Sequence, residues 1–119
     1  MDITLRGIFL TSEQPQVTAR FYEQVALLEL ETIGTPEHYV YWRCDRDGMQ
    51  LAIHDAEAFA AYAHPALAGS NLIHLYFRID NHEAFLAHLA TLQIEPVDID
   101  PTAVTVRDPD GRMVLFGTA

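Results

Sequence analysis

The sequence predicts an α+β fold made of two tandem modules, each reading strand, helix, strand, strand. Three observations carry this. RCDRDGMQLAI (residues 43–53) and VRDPDGRMVLF (106–116) both read Asp, any residue, Asp, Gly and then an apolar strand, and their leading residues Asp45 and Asp108 stand 63 positions apart. Each half also carries one segment with helical spacing of apolar residues ahead of its turn. Finally, 119 residues of which 50% are hydrophobic suffice for one domain with a real core.

The elements follow in order. Ile3 to Thr11 alternates as a strand, with Ile8 and Leu10 on one side and Leu5, Gly7 and Phe9 on the other. A helix comes next: Ser12 or Gln14 can cap it, Pro15 suits its first turn, and Val17, Phe21, Val25 and Leu28 form an apolar face. Gly34 and Pro36 end the connection, YVYWRC is a strand, DRDG turns, and MQLAIH returns as its hairpin partner. DAEAFAAYAHPALAGS is an Ala-rich linker in which Asp55 can cap a short helix. The second half opens with NLIHLYFRID as a strand, and Asp80 with Glu83 forms a capping-box-like helix start. Phe85, Leu86, Leu89 and Leu92 face the core from that helix, EPVDID holds a short further strand, and AVTVR, DPDG and RMVLFG close the chain. Module 1 thus covers about residues 1–55, the linker about 56–70 and module 2 about 71–119.

Charge and composition exclude several classes. Seven Lys and Arg against seventeen Asp and Glu give a formal charge of −10, a field that repels phosphate backbones and anionic lipid. Neither nucleic acid nor membrane is an expected partner. Cys44 is the single cysteine, so no intrachain disulfide can form, and no stretch approaches the ~20 apolar residues of a membrane helix. A cytoplasmic location is the expectation.

FYEQVALLEL after the first strand, the His-containing HLYFRID and the terminal DPDGRMVLF, in this order and around an internal repeat, resemble the vicinal oxygen chelate superfamily of glyoxalase I, bleomycin-resistance proteins and extradiol dioxygenases. The resemblance covers nearly the whole chain. It implies two βαβββ modules whose mixed sheet curls around a cleft, and a homodimer. It also implies metal-ligand positions on four strands, filled in metal-dependent relatives by two His and two Glu, or two His and one Glu. Here those positions fall on Gly7, on Gln50 (or Ala52 two residues on), on His74 and on Leu115. A slip of two along a strand keeps facing, so Gln50, Ala52 and His54 share one side, as do Met113, Leu115 and Gly117, and no register supplies a carboxylate. No cofactor is expected, His74 is the one weak metal candidate, and a divalent ion belongs to the alternative reading.

The residues expected to line the cleft are Phe9, Gln50, His54, His74, Tyr76, Arg78, Met113 and Leu115, with Thr11, Thr105 and Arg107 beside them; Leu75 and Phe77 belong to the opposite face. Such an aromatic and polar mixture suits a small organic ligand. Alternation sets Tyr39 and Tyr41 opposite Trp42 without saying which faces the cleft, and His64 and His82 are expected at the surface. The function read from this is small-molecule binding of the glyoxalase/bleomycin-resistance type, as in drug or metabolite sequestration. Its alternatives are a metal-dependent lyase or dioxygenase with unorthodox ligands, a metal-free catalyst using His74 or His54 as base, and an accessory dimerisation module whose cleft is filled by bulky side chains.

Overall fold

A computed structural model of the protein describes residues 1–2, 5–61 and 75–118. Its elements are β1 (Gly7–Ser12), α1 (Pro15–Val25), β2 (Glu31–Thr35), β3 (Tyr39–Arg46), β4 (Met49–Asp55), α2 (Ala56–Ala60), β5 (Leu75–Arg78), α3 (His82–Thr91), β6 (Asp98–Ile99), β7 (Ala103–Arg107) and β8 (Met113–Gly117). They form two four-stranded sheets of identical topology, β1-β4-β3-β2 and β5-β8-β7-β6. In each, the first strand runs parallel to the last and the other pairs are antiparallel. Each half is therefore βαβββ. The strand the periodicity does not reveal is β2, whose sequence ETIGT carries a single large apolar residue and lies mostly exposed at a sheet edge. In the second half EPVDID does supply a strand, reduced to Asp98 and Ile99.

Alternation fixes what each strand buries. Leu10 and Ile53 from the first sheet, and Leu75, Val104, Val106, Val114 and Phe116 from the second, join Tyr22, Val25, Phe85 and Leu89 from α1 and α3 in one core cluster. Each such side chain contributes roughly 1.5–3 kcal/mol by leaving water. Trp42 stands opposite Ile53 and packs against this core, which turns Tyr39 and Tyr41 to the other face of the sheet. Phe77 likewise packs coreward while Tyr76 points out and is half exposed.

Three local expectations are corrected. The buried face of α1 is Pro15, Thr18, Ala19, Phe21, Tyr22 and Val25, whereas Val17 is 49% exposed. The polar tips of Thr18 and Tyr22 hide this face from an apolar periodicity, because both hydroxyls find carboxylate partners: Thr18 Oγ1 donates to Asp110 and Tyr22 Oη donates to Asp108 Oδ2 at 2.7 Å. The cap of α3 is Asn81, whose Oδ1 accepts from Ala84 N at 2.9 Å, rather than Asp80. His82, the first residue of α3, is half-buried rather than at the surface, and its Nε2 is buried with no partner among the described residues. Asp55 caps α2 as its sequence suggests, accepting from Ala58 N at 2.9 Å.

The two Asp-x-Asp-Gly turns hold equivalent places in the two sheets yet differ in build. In the first, Arg46 pairs with Met49 and only Asp47 and Gly48 span the turn, both at positive φ (52° and 80°). In the second, Pro109 replaces Arg46 and has no N–H to offer a ladder, so the turn lengthens: Asp108 N donates to Arg112 O, and Gly111 takes the positive φ. The chemistry of the leading Asp diverges as well. Asp45 is exposed and meets Arg6, whereas Asp108 is 3% exposed and fully engaged. Its Oδ1 accepts from Asp110 N and Arg112 N, and its Oδ2 from Tyr22 Oη and Arg112 Nη1. Arg112 also reaches Asp110 and the Thr11 carbonyl. This clasp fastens the last hairpin of module 2 to β1 and α1 of module 1.

Candidate functional site

Since both sheets turn one face to the shared core, their other faces point away from it. On the first sheet the strand register sets Gly7 beside Gln50 and Asp45, Phe9 beside Ala52 and Arg43, and Thr11 beside His54 and Tyr41. The middle of this face is filled. Ala52 is 0% exposed and His54 8%. His54 lies in an aromatic box: its ring stacks on Tyr41 (centroids 4.6 Å apart, planes 15° apart), Phe59 from α2 closes in at 4.9 Å, and Phe9 meets it edge-on at 5.4 Å. Tyr39 Oη lies 2.8 Å from Nδ1, within hydrogen-bond distance. Nε2 is buried and has no partner among the described residues. Burial favours the neutral imidazole and pushes the pKa of His54 below its ordinary value.

Gln50 lies at the other end of the same face, half-buried, and its Nε2 donates to Asp45 at 3.4 Å. Asp45 in turn takes both Arg6 guanidinium nitrogens, at 3.1 and 3.2 Å, and Arg6 holds its carboxyl below the usual carboxylate range. Arg43 pairs with Glu31 at 3.7 Å and keeps a buried Nε without a partner among the described residues.

The remaining expected residues are on the second sheet. Tyr76, Leu115 and Thr105 form one row, Arg78 stands opposite Gly117, and Met113 opposite Arg107. Tyr76 leans over Gly117, where a Cβ would come within 2.6 Å of its hydroxyl. His74 lies outside the described residues. Within a single chain, the residues expected to share one cleft are thus divided between two outward faces: Phe9, Gln50 and His54 on one, Tyr76, Arg78, Met113 and Leu115 on the other. The alternation that places them on strand faces says nothing about how the two sheets are set against each other. Of the expected residues Gln50 borders a cavity of about 170 Å³ that it lines with Ile8, Leu28, Cys44, Leu51 and Phe77, and a cavity of about 410 Å³ lies apart from all of them against Glu13, Asp55, Ala56 and Glu57.

Among the described residues the donor set does not fit a glyoxalase-type or dioxygenase-type metal. Gly7 has no side chain and no room for one, since a Cβ would meet the Gln50 carbonyl oxygen at 2.8 Å and the Phe9 ring at 3.1 Å. Gln50 offers only an amide, and its counterpart at the 63-residue offset is Met113, with Leu115 two residues on. Among the described residues no group of three or more His, Cys, Asp or Glu side chains is placed to hold a metal ion.

Of the box residues the sequence leaves the facing of Tyr39 and Tyr41 open and does not point to Phe59. Tyr39 and Tyr41 were visible as strand aromatics, and only the packing of Trp42 settles their facing. Phe59 sits in the linker, where its spacing of four from Asp55 in a capped turn was the available signal that it would fold back over the sheet.

No protein-family model matches the sequence, and no curated protein is similar to it. Solved structures do share the fold. A lactoylglutathione lyase from Agrobacterium tumefaciens superposes with a TM-score of 0.71 at 20% identity, over 98% of this chain and 93% of that one. A glyoxalase/bleomycin resistance protein/dioxygenase from Nocardioides gives 0.74 at 15% identity, over 99% and 84%. TnmS3, an antibiotic binding protein from Streptomyces, gives 0.67 at 17% identity, over 99% and 98%. The chain therefore has the glyoxalase/bleomycin-resistance fold of the vicinal oxygen chelate superfamily. Among the described residues no helix is long and apolar enough to cross a membrane.

Proposed function

We propose that this chain is a cytoplasmic small-molecule-binding protein of the glyoxalase/bleomycin-resistance type that works without the usual metal centre, sequestering a drug or metabolite. The observation that carries the reading is Gly7: at a position where metal-dependent relatives place a ligand, the neighbouring backbone and Phe9 ring exclude any side chain. Aromatic and polar groups on the outward faces remain, a lining that buries a ligand's apolar surface and orients it through a few hydrogen bonds. Support also comes from the shared fold with an antibiotic binding protein. Phe9 and Tyr76, 48% and 50% exposed on the edge strands β1 and β5, offer apolar surface that a second copy of the chain would cover. The functional unit in this reading is a homodimer whose paired faces enclose the ligand.

A thermal-shift screen of aromatic and amine-bearing metabolites and antibiotics tests this, with light scattering at tens of micromolar alongside. The expected result is a dimer mass and at least one stabilising compound, whose affinity falls by ~1–3 kcal/mol in Tyr76→Ala while helical content is kept. A monomer that no compound stabilises would remove the proposal.

A further inference from the structure

We infer that His54 is the polar anchor of a ligand subsite on the outer face of the first sheet, and that this subsite takes an uncharged aromatic molecule bearing an oxygen acceptor, as in an aryl ketone. The inference rests on the small-molecule-binding reading above and names the chemistry of one of its contacts. A neutral imidazole carries one N–H. Tyr39 Oη lies 2.8 Å from Nδ1; in the tautomer this inference assigns, the phenol, the stronger donor of the two, donates to Nδ1 and the imidazole proton resides on Nε2. That Nε2–H is buried with no acceptor among the described residues. A box built only for packing would hold Phe at this place and leave no donor unpaired.

The surroundings define the rest of the guest. Tyr41, Phe9 and Phe59 present ring faces and edges to the imidazole, which suits a flat apolar ring. Phe9 is the movable wall: it stands on the edge strand β1, is 48% exposed, and touches both His54 and Phe59 edge-on rather than stacked, so a guest ring can take its place. A donor on Nε2 selects an acceptor, which a cationic amine lacks. An anion is disfavoured by the −10 charge of the chain and by desolvation in an aromatic box. A neutral carbonyl satisfies every constraint.

The test uses the full chain labelled with nitrogen-15, with acetophenone as probe and α-methylstyrene, its near-isostere lacking the carbonyl oxygen, as control. Imidazole nitrogen correlation spectra should show His54 protonated on Nε2, and acetophenone should shift that signal saturably while α-methylstyrene does not. His54→Phe should weaken acetophenone roughly tenfold and leave α-methylstyrene unchanged. A proton on Nδ1, acetophenone that leaves the His54 signal unmoved, or equal acetophenone affinity in the variant would each overturn the inference. The spectra of the unmutated protein decide the matter even where His54→Phe does not fold. A compound from the screen that binds without touching His54 would sink the subsite and leave the binding function standing.

Discussion

Two turns of the same written pattern should respond very differently to the same mutation. Asp108→Ala removes the acceptor of four hydrogen bonds at a site 3% exposed, leaving the fully buried Tyr22 hydroxyl and the mostly buried Arg112 guanidinium without their main partner. Breaking one side of a buried, charge-assisted network costs about 3–5 kcal/mol, because the abandoned groups stay desolvated. For a chain of 119 residues, about 4 °C of melting temperature accompanies each kcal/mol, so the expected fall is roughly 12–20 °C. Asp45→Ala, at the equivalent place in the first sheet, breaks an exposed pair with Arg6 and should leave the melting curve nearly unchanged. Urea and thermal unfolding followed by circular dichroism, on both variants, read the difference directly. Equal losses at Asp45 and Asp108, or a loss under ~1 kcal/mol at Asp108, would refute the view that this clasp holds the two modules together.

Two pH dependences follow from buried groups. Burial first, and the Asp108 carboxylate second, push the Tyr22 phenol far above its ordinary value, so its contribution to stability is full below about pH 10 and is lost as pH rises beyond it, by ~1.4 kcal/mol per unit. Tyr22→Phe should abolish that alkaline slope while costing about 1.5–3 kcal/mol at neutral pH through the lost hydrogen bond; an unchanged slope in denaturant melts at pH 10–11 would contradict the assignment. Burial lowers the pKa of His54, so its contribution is present above the unfolded value of about 6.5 and falls away as pH drops through the lower folded value. Stability measured from pH 7 to pH 4 should therefore decline less in His54→Phe than in the parent chain, and parallel curves would show that the imidazole titrates freely.

Much of the fold was legible in the sequence because its strands bury one face. Ile8 and Leu10 against Phe9, and Leu75 and Phe77 against Tyr76, sort themselves by alternation alone, and the repeated turn marks equivalent hairpins. What stayed hidden has a physical reason in each case. ETIGT is an edge strand with little to bury, so β2 leaves no pattern. Thr18 and Tyr22 are buried by polar partnership with module 2, a contact no local window contains. The site was legible only by halves: facing follows from period two, whereas the division of the cleft residues between two sheets depends on how the modules dock through the Asp108 clasp. Alternation sets His54 on the side of its strand away from Ile53, but its box needs Phe59 to return from the linker and Trp42 to claim the core side.

Metal content tests the central claim most directly. Plasma emission on the purified chain, with melting curves taken before and after a chelator, should find far less than one divalent ion per chain and an unchanged melting temperature, as expected where Gly7, Gln50 and Leu115 stand at ligand positions. Near-stoichiometric zinc, nickel, manganese or iron, lost together with stability on chelation, would contradict it.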